Sequence, residues 1–581
     1  MTGRGEGVAM VEWGHDLAPD RAWRDVEWLT AHAPERINGT ADERRAAEYF
    51  REALSAAGVA STIHEFPAYV SVPVEGSLRV RTPADEPIHC APCAHILSTP
   101  PGGVEGDLLP VGAGGEEDYA AVDAAGKIVM ADVSYAPPTP EKGRLAARHG
   151  ARALILVNWG DPDSPLITWR AIKGVWGNPT PSLMGEIPQI PALGIARRDG
   201  ERLRALAARG PVRVRLVARA TREWTHLPLP EGRLEAGETF LLVGGHYDAW
   251  RLGVSDNATG NAATLELARV LAAHRGELRR GVRFVFWTGH EIGDMEGSTW
   301  YVDRFWDELD AGAVLYLNLD TVGMVGTARW GTQSSDEIVR WHQGVERSHL
   351  SVPLEQAPLA RTGDQSFFGI GVPSLSARFE HTREQMAAWH GATLGWWNHT
   401  DQDTVDKIDR QLFAESLRVY LAYAVGIATS RILPFEFASM GARMVGELDE
   451  IAAASRGHLD LAEPRARAGD VAALAARLDA AAALPVPDDV AVRIDAALRR
   501  LSRILTPIRR TVSGRWSQDS YGLTALRRPF PMLAMARALP TLEGEPYELW
   551  RTQLVRHRNQ VADGLRDAVR VLSTVLAEVG A

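Results

Sequence analysis

Seven residues in the middle of the chain have the types and the setting of a metal centre. His246 and Asp248 follow the apolar run "TFLLVGG", and Asp256 lies in the turn-prone stretch "SDNATGN". His290 and Glu291 end the run "VRFVFWTG", Asp320 ends "VLYLNL", and His399 lies in "WWNHT". Zinc and similar borderline-soft cations take imidazole nitrogen and carboxylate oxygen, and their catalytic sites keep a position open. One cation needs three or four such groups; two need more, with one carboxylate between them. His246, Asp256, Glu291, Asp320 and His399 supply that donor set. Asp248 stands two residues beyond His246, so in extended chain the two share a face and Asp248 can orient a ligating imidazole. Taken singly, each residue has an ordinary reading. Asp248 and Asp256 suit turns or caps, Asp320 a strand end, and His399 a surface loop. Their common placement sets them apart.

Elements that position them can be read from pattern. From 239 to about 430 the chain alternates buried strands ("TFLLVGGHYD", "GVRFVFWTGHE", "AVLYLNLDTVG") with amphipathic helices ("ATGNAATLELARVLAAHR", "GSTWYVDRFWDEL"). That alternation predicts an α/β domain: a mostly parallel sheet with helices on both faces. Ligands of such sheets sit beyond the carboxyl ends of the strands, where His246, Asp248, His290, Glu291 and Asp320 fall. Upstream, a helix follows the N-cap Thr40 and stops at Gly58, and "STIHEFPAYV" has strand character. Residues 85–220 are dense in Pro and Gly and carry short β runs such as "GKIVMADV" and "ARALILVNW", which predicts a β-rich module inserted into the first domain. After Pro434, Ala, Leu and Arg recur at helical period, which predicts an all-α bundle without a catalytic pattern. The expected division is 1–84 with 221–434 as the catalytic domain, 85–220 as the insert and 435–581 as the helical domain.

The totals bound the function. A chain of 581 residues is expected to hold two or three domains. With 63 basic and 74 acidic residues the net charge is -11, which argues against a nucleic-acid partner. No apolar run reaches membrane-span length, and "MTGRGEGVAMVEWGHDLAPD" lacks a signal-peptide core, so no membrane partner and a cytoplasmic setting are expected. Cys90 and Cys93 form "CAPC" with no second pair to complete a four-thiolate site; they read as two small residues at a strand end.

Four stretches together resemble the M28 zinc aminopeptidase family: "GGHYDAW…SDNATGNAATLELARVL", "FVFWTGHEIGDMEGSTWYV", "YLNLDTVG" and "WWNHTDQDTVDKID". Four motifs in order are far more specific than one. The insert resembles a protease-associated domain. The tail resembles the dimerisation domain of the transferrin-receptor and glutamate-carboxypeptidase branch, which implies a homodimer. The resemblance implies a zinc-exopeptidase-like fold and one or two Zn2+ ions or another divalent metal. It assigns His246, Asp256 and Asp320 to one ion and Asp256, Glu291 and His399 to the other, with Asp256 bridging and Asp248 supporting His246. Water acidified by the ions would attack a carbonyl.

The family usually carries two adjacent glutamates, a general base and then a ligand. Here the pair is His290-Glu291, and "IGDMEGS" after it is one residue longer than the usual form. In the favoured register His290 replaces the base and Glu291 is the ligand; in the other, Glu291 is the base and His290 stands in for a ligand. Imidazole moves protons near neutral pH. For substrate binding, Asp364 in "RTGDQSFFGIGVPSL" is a candidate to hold an amino group. Arg378, His381, Trp396 and Trp397 are candidates for a pocket wall. The leading expectation is a metal-dependent hydrolase of an amide or peptide bond in a small peptide or amide substrate, aminopeptidase- or carboxypeptidase-like. The alternatives are a metal enzyme of altered reaction, such as a lyase or a small-amide hydrolase, and a non-catalytic binding protein of the transferrin-receptor kind.

Overall fold

The computed structural model describes residues 13–361, 363–520 and 528–580. Two eight-stranded mixed sheets organise it. In the first, the strands Gly281–Trp287, Phe240–His246, Ala313–Asn318 and Ser374–Glu380 lie side by side and parallel. Antiparallel pairing appears toward the edges, where Glu223–Leu234 joins Gly281–Trp287 and Ala60–Val70 lies outside it. On the other flank Arg329–Ser334 runs antiparallel to Ser374–Glu380. Every residue of 240–246, 281–287 and 313–318 is buried. Such strands are continuously apolar because both faces are covered. Leu241 and Val243 join the core beneath helices Pro19–His32, Ala41–Ala56, Thr259–Ala273 and Arg410–Ala428. Phe240 and Leu242 point the other way, toward Tyr301, Phe305 and Leu309. The expected single helix at "GSTWYVDRFWDEL" is two, Glu296–Arg304 and Trp306–Gly312.

Gly244 and Gly245 explain why the site strand can run so close to its neighbours. A Cβ on Gly244 would stand 1.9 Å from the Val285 carbonyl oxygen, and one on Gly245 2.1 Å from that of Leu319. Any side chain there would push apart the strands that deliver the donor residues. The loop after this strand is held by Arg36, fully buried, whose guanidinium donates to the carbonyls of Tyr247, Leu252 and Gly253.

The second sheet is built from the insert, with its own core of Ile128–Met130, Ala153–Val157 and Leu193. It also takes in Pro73–Thr82, ahead of residue 85. Leu78 and Val80 of that strand are buried opposite Leu216 and Val214, so alternation across an antiparallel pair draws it into this sheet. The tail forms long helices, Ala438–Ala454, Ala462–Ala482, Asp488–Arg510 and Gly544–Val579. Arg503 binds it to the first sheet and its flanking helix by donating to the carbonyls of Ala313, Leu309 and Gly371. Cys90 and Cys93 are both free, and burial pushes each thiol up to about 12, so neither is a ready nucleophile. Among the described residues no helix is long and apolar enough to cross a membrane.

Candidate metal centre

The parallel strands bring the donor residues to one place. His246 Nε2 lies 3.0 Å from Asp256 Oδ1 and 3.7 Å from Asp320 Oδ1. His399 Nε2 lies 3.1 Å from Asp256 Oδ2 and 3.1 Å from Glu291 Oε2. Two groups result, His246–Asp256–Asp320 and Asp256–Glu291–His399, each with donor atoms within 4.8 Å of one another. Asp256 belongs to both and turns one oxygen to each.

Hydrogen bonds fix which imidazole nitrogen carries a lone pair. His246 Nδ1 lies 2.9 Å from the Asp248 carbonyl, and His399 Nδ1 3.2 Å from the Trp169 carbonyl. A carbonyl only accepts, so each Nδ1 is the N–H and each Nε2 presents a lone pair to carboxylate oxygens. Acceptors facing acceptors repel unless a proton or a cation lies between them. Buried and unpartnered atoms mark the same spot: His246 Nε2, Glu291 Oε1 and Asp320 Oδ1 have no hydrogen bond. In the cation-free protein a proton fills part of this demand. Burial disfavours a charged His246, yet the Asp256 and Asp320 carboxylates facing its Nε2 outweigh it and hold its pKa well above the ordinary value. Burial holds Glu291 well above the usual carboxylate range, and Asp256 close by adds to it. The donor set thus fits divalent cations.

His290 belongs to the same cluster without sharing its donor geometry. Its ring stacks on His246, with centroids 3.8 Å apart, and its Nδ1 lies 2.9 Å from Asp364 Oδ2. The carboxylate makes Nδ1 the donor and leaves Nε2 as acceptor. Asp364 is fully buried, so the expected contact with a substrate amino group gives way to a contact with His290. The Asp248 carboxylate likewise turns from His246 to the backbone, accepting from Glu291 N at 2.8 Å and His290 N at 3.3 Å. It is the Asp248 carbonyl that holds the His246 ring.

The cleft over the centre is lined by His290, Glu291, His399, Trp250, Asp294 and Met295 on one side, and by residues of the insert on the other, among them Tyr135, Pro138, Trp159 and Arg170. The remaining candidates for its wall lie outside this lining. His381 is buried between Trp389 and Trp397. Trp397 is buried and donates to Ser255 Oγ. Trp396 packs near Gly160 and under Lys407, and Arg378 donates to Thr321 Oγ1. Their nearness to His399 in sequence does not carry into the cleft because each is packed or hydrogen-bonded elsewhere.

Two features escaped the sequence reading. Segment 168–178 of the insert is stitched to three of the site loops. Trp169 N donates to the His399 carbonyl, Lys173 Nζ to Glu296 Oε1 at 2.8 Å, Trp176 Nε1 to Ser366 Oγ and Gly177 N to the Asp294 carbonyl. The second is Asp403, which accepts from Ser255 N, Ser255 Oγ and Asp256 N. Its place in "HTDQDT" was the available signal. Replacing Asp403 by alanine leaves those donors unpaired, at about 1–3 kcal/mol for a buried group, and frees the shared ligand. Metal affinity is expected to fall about 10–100-fold in a chelator competition; unchanged affinity would contradict the role.

A parallel sheet that gathers imidazoles and carboxylates at the carboxyl ends of its strands defines a metallohydrolase of the zinc-exopeptidase type. Residues 230–424 match the model of peptidase family M28, and residues 104–203 that of the PA domain. The chain is similar to Aminopeptidase YwaD of Bacillus subtilis (strain 168), 24% identical over 67% of this chain and 80% of the relative. It is also similar to the probable glutamate carboxypeptidase VP8 of Zea mays, 24% identical over 75% and 70%. Among solved structures, the peptidase M28 precursor from Shewanella amazonensis SB2B aligns with TM-score 0.60 at 18% identity, covering 74% of this chain and 97% of that one. The zinc aminopeptidase BSAP from Bacillus subtilis aligns with TM-score 0.54 at 21% identity, over 70% and 94%. Residues 230–424 thus carry the match to peptidase family M28 and residues 104–203 that to the PA domain, and the chain is a metallopeptidase-type hydrolase.

Proposed function

We propose that this protein hydrolyses peptide bonds at a centre of two divalent cations, with His290 as the proton carrier. His246, Asp256 and Asp320 would hold one ion and Asp256, Glu291 and His399 the other. Bound there, the ions supply Lewis acidity, polarising a carbonyl and acidifying water; zinc suits the mixed nitrogen and oxygen donors. The observation that carries this reading is the pair of Nε2 lone pairs set 3.0 and 3.1 Å from the two oxygens of one carboxylate.

The chain's own residues do the rest. His290 Nε2 takes the proton of the attacking water and returns it to the leaving nitrogen, which departs as a neutral amine. Asp364 holds the ring in the tautomer that can accept and stabilises the imidazolium between the two transfers. Asp248 fixes the 290–291 backbone, so base and ligand keep their spacing. The insert closes over the centre and limits water access. The relatives' names support an exopeptidase: one is called an aminopeptidase, the other a probable carboxypeptidase. Pairing of two chains through the helical tail remains part of this reading, supported by the exposed Leu484, Val492, Leu549 and Trp550; a single-chain mass in sedimentation would remove it.

Exhaustive chelation is expected to abolish cleavage of a peptide panel, and zinc to restore it. Full activity in protein shown by elemental analysis to be metal-free would overturn the proposal.

A further inference from the structure

We propose that Asp294 gives this enzyme a preference for substrates that carry a cationic side chain, of the lysine type, next to the scissile bond. The inference rests on the hydrolase reading above and names its substrate class. Asp294 lines the cleft over the centre, beside Met295, His290 and Glu291. It is only 7% exposed, and its Oδ2 is buried without a hydrogen-bond partner among the described residues. The insert fixes the loop that presents it. Lys173 Nζ donates to the Gly293 carbonyl at 2.5 Å, and Gly177 N donates to the Asp294 carbonyl at 2.6 Å. Asp294 and Met295 both stand in the left-handed region, at φ 50 and 67, where side chains other than glycine are uncommon.

A buried carboxylate without a partner is costly. The cations nearby are committed elsewhere. Lys173 pairs with Glu296 at 2.8 Å. Arg170 also lines the cleft, but its guanidinium lies over the Trp159 ring, and among the described residues it makes no ion pair with Asp294. The other acid of the cleft, Glu291, faces His399. Burial holds the Asp294 carboxyl well above the usual carboxylate range; Lys173 offsets this only in part, and Glu296 adds to it. A counter-charge that the protein does not supply comes from the ligand, and an ammonium or guanidinium is the group that meets a carboxylate with charge-assisted hydrogen bonds. Met295, Trp250, Tyr135 and Pro138 line the same cleft. Their apolar surface suits the methylene stem of such a side chain, whose charged head then reaches the acid. An apolar side chain in that place leaves the carboxylate unpaired, and an acidic one is repelled, so discrimination has an attractive and a repulsive part.

The test measures kcat/KM of the zinc-loaded wild type and D294N on two pairs of dipeptides, Ala-Lys with Ala-norleucine and Lys-Ala with norleucine-Ala. Each pair shares its termini and its stem length, so only the side-chain charge differs. Asparagine tolerates the left-handed backbone at 294, and D294G serves where D294N does not fold. The wild type is expected to favour lysine in one pair, and D294N to lower that lysine-to-norleucine ratio about 10–100-fold, the range for one hydrogen bond to a charged group. The pair that responds shows on which side of the scissile bond Asp294 acts. Wild-type ratios near one in both pairs, or a ratio that D294N leaves unchanged, would overturn the proposal. If the wild type cleaves none of the four peptides, the hydrolase reading fails, and calorimetry with lysine and norleucine decides this inference alone. Tighter binding of lysine that D294N removes keeps it; equal binding of the two removes it.

Discussion

Replacing Asp256 by asparagine is expected to empty the centre of both cations while leaving the fold intact. Each of its oxygens serves a different imidazole, and Asn398 Nδ2 donates to Oδ2 at 2.6 Å to hold the carboxylate in that bridging pose. Asparagine keeps the shape but offers one oxygen and turns an NH2 toward one of the two lone pairs. Lewis acidity at a carbonyl is worth several kcal/mol, and each ~1.4 kcal/mol is tenfold in rate. Peptidase activity should fall by on the order of 10³ or more. Metal content measured after gel filtration should fall with it. Asp320→Asn is the control: Asp320 contacts only the His246 side, so it should weaken one site and spare the other. A D256N protein that keeps two ions per chain would contradict the bridging role.

Replacing His290 should give the opposite pattern, with metal retained and turnover lost. Removal of a positioned general base costs about 10²–10⁴ in rate, so H290Q is expected to lose that much in kcat with little change in KM or metal content. Asp364→Asn should approach the same loss. Asp364 sits at φ 56, a conformation asparagine tolerates, so the backbone need not move. The new amide donates to Nδ1, shifts the ring proton to Nε2 and leaves no acceptor facing the cleft. Loss of metal from H290Q would make His290 a ligand, as in the other register of the His290-Glu291 segment. Peptidase activity that appears only in H290E would mean that the native centre serves another reaction.

The donor set was legible because cation ligands must be particular residue types and a parallel sheet must present them at its strand ends. His246, Glu291 and Asp320 follow directly from that rule. The sheet itself was legible from buried runs such as "TFLLVGG", where two glycines also betray close strand packing. Other features depend on contacts between distant segments. Asp364 looks like any turn aspartate until the chain folds it under His290, 74 residues away. Trp397 and His381 look like pocket walls because they are large and near His399; packing turns them inward. Lys173 lies in a Pro- and Gly-rich stretch without periodicity, and only the docking of the insert against the catalytic sheet gives it a role. Pro73–Thr82 was missed for a related reason, since its partner strand Arg213–Ala220 is more than a hundred residues downstream.

Crystals of the zinc-loaded protein, recorded on both sides of the zinc absorption edge, offer the most direct measurement. Two anomalous peaks are predicted, one among His246, Asp256 and Asp320 and the other among Asp256, Glu291 and His399, with the Asp256 carboxylate between them. A cleft in which zinc leaves no peak, or leaves one only at positions that exclude Asp256, would contradict the account at its centre.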